Sequence, residues 1–506
     1  MLMQLQVGSL IEPFSGRRWV PEEVHRQTAL RIGRFQALGV RPGDRVFLPF
    51  GNRLEFFAEL LAIWRSGACA VPVDARLTAF EVSNLVRAAT PVLAIADEAT
   101  PAEVTAALTE AGVRVLATTE TGASPGAAGD LRLDDDALIL FTSGSTGDPK
   151  GVVHTHRSLR ARWTGLHDHL PGAAFARSLC MLPTHFGHGL ICNSLFPWLS
   201  GQDLFITPPF RPDLVARIGA VIDEHAITFL SSVPAIWKLA LRLARPPQRG
   251  SLQRVHVGSA PLSAAAWEDI RRWTGTRQVC NAYGITETGS WVAGLADADV
   301  PAEDGLIGTG WGAVIKVLSS DDTTELPAPE LECGPGESGY VWLNTPALMK
   351  GYFRRDDLTA RAVAGGWFQT GDIGCLDERG RLLLRGRERD EINKGGMKIY
   401  PADIDAVVER HAAATDVCAF ALEDPIYGQS VGMAVVLGDA SDAAIASLHA
   451  WMKSHLAEHK LPARWWLLAE IPRTSRGKIN REAVRTACAA RPALDLPALL
   501  ARAGGA

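Results

Sequence analysis

Phe141-Thr-Ser-Gly-Ser-Thr-Gly-Asp-Pro-Lys150-Gly151 gathers small, hydroxylated and glycine residues ahead of a single lysine. Such a loop leaves its backbone N–H groups and hydroxyls able to wrap a polyphosphate, and Lys150 adds positive charge. The apolar run Ala137-Leu-Ile-Leu140 precedes it, so a buried strand is expected to empty into the loop. This is not the Walker pattern. No G-x-x-x-x-G-K-[ST] occurs, and Gly477-Lys478 is followed by Ile479. A solvated Ser/Gly surface loop is the plain alternative for this stretch taken alone.

Four further segments carry complementary groups. Asn281-Ala-Tyr-Gly-Ile-Thr-Glu287 puts an aromatic ring, a tight glycine, a hydroxyl and a carboxylate close together. Thr370-Gly-Asp372 sets an acid behind a glycine turn, and Arg387 lies in the charged run Arg385-Gly-Arg-Glu-Arg-Asp-Glu391. Pro472-Arg-Thr-Ser-Arg-Gly-Lys-Ile-Asn480 carries Lys478 on a small polar loop near the chain end. Singly, each is more often a turn than a site; their joint occurrence in this order is specific. His154-x-His156 and His185-x-x-His188 invite a metal reading, but no third and fourth ligand follows at suitable spacing. His154 and His156 read instead as residues opening a helix after the phosphate loop.

The elements that must position these groups alternate in the first third of the chain. Residues 21–38 read as an amphipathic helix with Pro21 in its first turn and a stop near Gly39. Strands at 46–48, 69–73 and 92–95 alternate with helices at 54–65 and 79–89, which implies a largely parallel, helix-covered sheet. Residues 119–130 read as a surface loop. Later, a strand at 382–384 leads into the charged run, which is too polar for core and suits a hinge. Beyond it come a helix at 401–411, a strand at 431–437 and a helix at 443–456 capped by Ser441 or Asp442. The remaining length suffices for a small domain. A solvated turn inside one domain is the alternative.

The 506 residues support large cores, and 47% apolar with 21% charged residues describes an ordinary soluble globular protein. A formal net charge of −5 gives no electrostatic case for nucleic acid. The N-terminus has no basic region followed by an apolar one, and no apolar stretch approaches the ~20 residues of a membrane span. Eight scattered cysteines without a C-x-x-C pair fit reduced thiols in the cytoplasm.

From about Val46 to Glu482 the motifs resemble those of the adenylate-forming superfamily: acyl- and aryl-CoA synthetases, adenylation domains and beetle luciferases. The character is nearest to the acyl- and aryl-CoA synthetases. The resemblance implies an α/β fold in which a large multi-subdomain N-terminal domain with parallel-sheet layers (1–386) is hinged at 387–390 to a small, mobile α+β C-terminal domain (391–506). It implies that ATP activates a carboxylic acid as acyl-AMP, which a thiol then attacks. Thr142, Ser143, Gly144, Ser145, Thr146, Gly147 and Lys150 would hold the β- and γ-phosphates. Glu287 would bind Mg²⁺ with hydroxyl help from Thr142 or Thr286, offsetting repulsion between two anions. Tyr283, with Ala282 and Gly284 beside it, would stack on adenine, flanked by Gly258, Ser259, Ala260, Pro261 and Asn281. Asp372 would accept from the ribose hydroxyls and Arg387 would contact the sugar or phosphate. Lys478 would bridge the carboxylate and the α-phosphate, a contact strengthened in the transition state. Arg389 aligns with the pivot, and Gly395 and Gly396 with a channel for the thiol arm. Asn393 and Asn281 depart from the residues common at their positions.

Leu182-Pro-Thr-His-Phe-Gly-His-Gly-Leu190 resembles the acyl-pocket segment, with His185, Phe186, Gly258 and Gly284 facing the substrate. No Asp or Glu occurs between Met181 and Gln202, and an uncompensated buried ammonium is costly, so the expected acid lacks an amino group. Coenzyme A is the expected acceptor; the alternative is the phosphopantetheine of an acyl-carrier protein acting in trans. A non-catalytic nucleotide-binding regulator and a luciferase-like oxygenase are the readings from other classes. Oligomeric state is open between monomer and dimer.

Overall fold

The computed structural model describes residues 6–503 apart from 78, 144–148, 209–211, 321–328, 388–391, 395–396, 400, 425–427, 457 and 475–476. Among the described residues the strands form sheets of fourteen, seven and five strands.

The seven-stranded sheet carries the alternation expected from the sequence. Arg45–Leu48, Cys69–Pro72, Leu93–Ala96 and Arg114–Ala117 run parallel, with helices Leu54–Arg65, Ala79–Ala89 and Ala102–Glu110 between them in sequence. Asp136–Ser143 joins Cys69–Pro72 in parallel, then turns back as Pro149–Thr155. The helix Leu54–Arg65 is buried over nearly its whole length and contributes to the largest apolar core. Its one buried acid, Glu59, accepts from Arg31 Nε at 2.9 Å, Arg34 Nη2 at 2.5 Å and the Thr118 hydroxyl at 3.0 Å. A buried charge needs such matching, and this one ties the first helix to the sheet.

The fourteen-stranded sheet has a parallel part and an antiparallel part. Asp203–Ile206, Arg177–Cys180, Phe229–Ser232, Arg254–Gly258 and Val279–Ile285 are parallel. From Val279–Ile285 onward the neighbours Ser290–Gly294, Leu306–Gly310, Leu382–Arg387, Trp367–Leu376, Gly339–Asn344 and Val314–Leu318 pair antiparallel. The reason is local. After Val279–Ile285 a single 3₁₀ turn, Thr286–Thr288, and left-handed Gly289 reverse the chain, so no crossover helix intervenes.

The C-terminal unit has its own sheet, Met397–Ile399, Ile392–Lys394, Gly428–Leu437, Ala414–Asp424 and Arg464–Leu467, covered by the helices Pro401–Glu409, Asp442–His455 and Arg481–Ala489. Ser441 caps the second helix by accepting from Ala444 N–H. Its apolar clusters use residues from Ile392 onward. Ion pairs connect it to the large unit: Lys238 to Glu409 at 2.9 Å, and Arg410 to Asp304. The eight cysteines are free, seven of them buried.

Candidate active site

The strands on either side of the phosphate-loop residues, Asp136–Ser143 and Pro149–Thr155, pair antiparallel. Phe141 pairs with Gly151, Thr142 with Lys150 and Ser143 with Pro149. Gly144, Ser145, Thr146 and Gly147 lie outside the described residues, as do the side chains of Thr142 and Ser143. Lys150 is the second residue of the returning strand, its amine 5.8 Å from the centre of the Tyr352 ring.

Tyr283, Gly284, Thr286 and Glu287 sit where the large sheet changes from parallel to antiparallel. A bulge falls between Tyr283 and Gly284; a Cβ on Gly284 would lie 2.1 Å from the Ser290 carbonyl oxygen, so only glycine allows this approach. His154 Nε2 is 2.7 Å from the Thr286 carbonyl oxygen, so the imidazole donates there and joins the hairpin to this loop. Burial pushes His154 down to about 4, against the pull of the Thr286 carbonyl, and it is neutral at ordinary pH. The Glu287 carbonyl accepts from Met349 N–H at 2.7 Å, and its carboxylate accepts from the Tyr352 hydroxyl at 2.8 Å.

On the adenine side, Gly258 ends its strand and Ser259 follows in the left-handed region, φ +66°, leading into the partly exposed Ala260 and exposed Pro261. Tyr283 is buried and its hydroxyl donates to Asp372. The Asp372 backbone N–H donates to the Thr370 hydroxyl at 3.0 Å, and Asp372 pairs across the sheet with Arg387. Ala282 lies in the strand beside Gly258. Asn281 donates its amide N–H to the Leu306 carbonyl at 3.0 Å, linking its strand to Leu306–Gly310. Arg389, Gly395 and Gly396 lie outside the described residues, as do the side chains of Arg387 and Asn393.

The acyl-loop segment docks at the carboxyl ends of Arg45–Leu48 and Cys69–Pro72, the end of an open α/β sheet at which ligand crevices form. Asn52 holds it there, donating to the Leu182 and Thr207 carbonyls and accepting from Thr184 N–H at 3.0 Å. A Cβ on Gly51 would come within 2.0 Å of Thr184 Oγ1. His185 lies 3.4 Å from Asp74, which Arg76 also grips with two N–H groups at 3.0 and 2.9 Å. Burial raises the Asp74 pKa, but Arg76 and His185 outweigh it and leave the carboxyl below its ordinary value. Sequence reasoning missed Asp74 because it lies far from the acyl segment; its position just past a parallel strand's carboxyl end was the available signal.

Beyond Phe186, whose ring centre is 6.0 Å from that of His188, the π-helix His188–Leu195 begins. Ser231's hydroxyl donates to the His256 carbonyl at 3.3 Å, so His188 Nε2 donates to Ser231 at 2.6 Å and its Nδ1 accepts from Ser259 at 3.0 Å. Burial first, and then the charge of Lys478, push His188 down to about 3. His188 itself lies at the junction of the acyl loop and the adenine-side turn. Lys478 is exposed on a tight turn: its carbonyl accepts from Thr474 N–H at 2.8 Å, Gly477 is left-handed, and Arg473 grips Asp416 at 2.8 and 2.7 Å.

A family model for AMP-binding enzymes matches residues 14–353, and one for the AMP-binding enzyme C-terminal domain matches residues 403–478. The chain belongs to the AMP-binding enzyme family. This AMP-binding enzyme is 31% identical over 498 residues to a fatty acid–[acyl-carrier-protein] ligase, ScoC, of Streptomyces coeruleorubidus, covering 93% of this chain and 92% of the relative. Identity to a feruloyl-CoA synthase of an Amycolatopsis species is 30% over 473 residues, 92% of each chain. Among solved structures it resembles ATP-bound MatB from Rhodopseudomonas palustris, with TM-score 0.84 and 25% identity over 95% of this chain and 96% of that one. A large N-terminal α/β domain followed by a small C-terminal one, expected from the sequence, is the arrangement of this enzyme.

The donors present suit Mg²⁺ carried on a nucleotide. Glu287 offers one oriented carboxylate, while no group of three or more His, Cys, Asp or Glu that could hold a metal occurs among the described residues. Mg²⁺ typically takes one or two carboxylates and completes its shell with phosphates and water, so the AMP-binding enzyme's donor set fits it. Among the described residues no helix is long and apolar enough to cross a membrane.

Proposed function

We propose that this enzyme uses ATP to convert a carboxylic acid without an amino group into its acyl-AMP, and then passes the acyl group to the thiol of coenzyme A. In the first step a carboxylate oxygen bonds to the α-phosphorus while the bond to the bridging oxygen breaks and pyrophosphate leaves. In the second, thiolate sulfur bonds to the acyl carbon and AMP leaves with the electron pair.

Two features support this reading: His188 holds Ser259, the first residue of the adenine-side turn, and, after burial, the charge of Lys478 contributes to lowering the His188 pKa. A cation near that turn is suited to the charge moving between carboxylate and α-phosphate. Thr142–Ser143, Gly144 to Gly147 and Lys150 cradle the outer phosphates. Tyr283 faces adenine, with Ser259, Ala260 and Pro261 beside it, and Asp372 and Arg387 take the ribose side. Glu287, with Thr142 or Thr286, holds Mg²⁺, whose charge offsets the repulsion between carboxylate and phosphate. His185, Phe186, Gly258 and Gly284 shape the acyl side. Asp74 is already engaged by Arg76 and His185, which supports an acid carrying no ammonium. For the second step, 387–390 with Arg389 acts as hinge and Gly395–Gly396 lines the thiol path. We place the enzyme in the cytoplasm, in keeping with its free cysteines.

The likeness to a fatty acid–[acyl-carrier-protein] ligase supports a second acceptor, a carrier-bound phosphopantetheine. A pyrophosphate-release screen over aliphatic, alicyclic, aromatic and amino acids, run with coenzyme A and with a holo-carrier protein, tests both. Turnover on a non-amino acid with thioester on one thiol is expected. Robust activity on an α-amino acid overturns the pocket argument, and adenylate accumulating with neither thiol used overturns both acceptors.

A further inference from the structure

Tyr352 is absent from every motif described above, yet it touches both charged ends of the phosphate machinery. Its hydroxyl donates to Glu287 Oε1 at 2.8 Å, and its ring lies beneath the Lys150 amine, 5.8 Å from ring centre to Nζ. Two sides of the fold hold the ring in place. Gly351–Tyr352 is a short strand pairing with Val153 and Val152 of the phosphate-loop hairpin. The Tyr352 backbone N–H donates to the Thr359 hydroxyl at 2.9 Å, and the side chain packs against the cluster of Val152, Met349 and Phe368. The same segment fixes the Glu287 main chain, since Met349 N–H donates to the Glu287 carbonyl at 2.7 Å. Backbone and carboxylate of Glu287 are thus held from one strand and the turn before it.

We infer that Tyr352 is a positioning residue that orients the Glu287 carboxylate for its metal and aligns Lys150 with it, so that one side chain registers the metal ligand against the phosphate-loop cation. This rests on the reading of Glu287 as the Mg²⁺ ligand. A ligating carboxylate swings about its side-chain torsions unless a further hydrogen bond holds it, and loss of such a bond typically lowers metal affinity about 10–100-fold. The ring contact is a separate contribution. A cation over an aromatic face is held within about 6 Å of its centre, so phenylalanine retains the contact with Lys150 and leucine abolishes it.

The test is binding, independent of turnover and of the acid. ATP affinity is measured by calorimetry with Mn²⁺ and with EDTA, and bound Mn²⁺ is followed by electron paramagnetic resonance. The proteins are wild type, Tyr352→Phe, Tyr352→Leu, Glu287→Gln and the Tyr352→Phe/Glu287→Gln double variant. Tyr352→Phe is expected to weaken Mn·ATP binding about tenfold, to alter the Mn²⁺ spectrum and to leave metal-free ATP binding unchanged. Tyr352→Leu should weaken metal-free binding as well. In the Glu287→Gln background Tyr352→Phe should add nothing, because it acts through that carboxylate. Equal losses with and without metal, an unchanged Mn·ATP affinity, or a full effect in the Glu287→Gln background would each overturn the inference while leaving the reading of Glu287 standing. A wild type that binds ATP equally well with and without metal overturns that reading, and the inference with it.

Discussion

Replacing His156 by glutamine addresses how buried neutral imidazoles set the acid limit of this enzyme. His156 opens the helix His156–His169, is 2% exposed, and lies edge-on to Trp64 at 5.6 Å between ring centres. Burial pushes its pKa down to about 4, opposed by the Asp135 charge. Burial holds His154 at about 4 and, with Lys478, His188 at about 3; His256 is lowered as well. In the unfolded chain each titrates near 6.5, so between pH 6.5 and 4 the unfolded state binds protons that the folded state refuses. Stability is therefore fully present above pH 6.5 and falls as pH drops through that window. Each group removes about 1.4 kcal/mol per pH unit. Three such histidines remove about 4 kcal/mol by pH 5.5, a large share of the ~5–15 kcal/mol holding a folded protein. Asp405, pushed up to about 6 by burial against the pull of Arg481, acts in the opposite direction and returns about one group's worth. His156→Gln should lower proton uptake on unfolding at pH 5 by about one and flatten the stability–pH slope by about 1.4 kcal/mol per unit. The assay is urea unfolding by tryptophan fluorescence at pH 7.5, 6.5 and 5.5, with proton uptake measured in weak buffer. Parallel wild-type and variant curves would refute the reasoning.

Two other substitutions probe the frame around the site. Glu59→Gln strands the Arg31 and Arg34 guanidiniums in the core and should cost about 3–5 kcal/mol in urea unfolding; a cost under 1 kcal/mol would contradict the buried-charge account. Asp304→Asn with Glu409→Gln removes the partners of Arg410 and Lys238 across the two domains. We expect adenylate formation to slow ~2–5-fold at low salt, with the difference vanishing at high salt, in stopped-flow measurements.

The segments proposed for the site could be picked out of the sequence because each is contiguous: Tyr283 to Glu287, Thr370 to Asp372 and the loop around Lys478 need no tertiary knowledge to be seen. The first helices and strands were equally clear, since Leu54–Arg65 is apolar on nearly every face and Pro21 marks a helix start. What escaped was pairing at a distance. Tyr352 meets Glu287, and Asp74 meets His185, only because the sheets bring their strand ends together. No period in the chain encodes those contacts. The antiparallel half of the large sheet was missed for a related reason: short strands such as Ser290–Gly294 are buried and apolar whichever way they pair.

The most direct measurement separates the two half-reactions in Lys478→Ala. Single-turnover pyrophosphate release should fall about 10²–10³-fold, while thioester formation from supplied acyl-AMP proceeds at the wild-type rate. A variant that releases pyrophosphate normally, or that loses both steps equally, would contradict the assignment of Lys478 to acid activation.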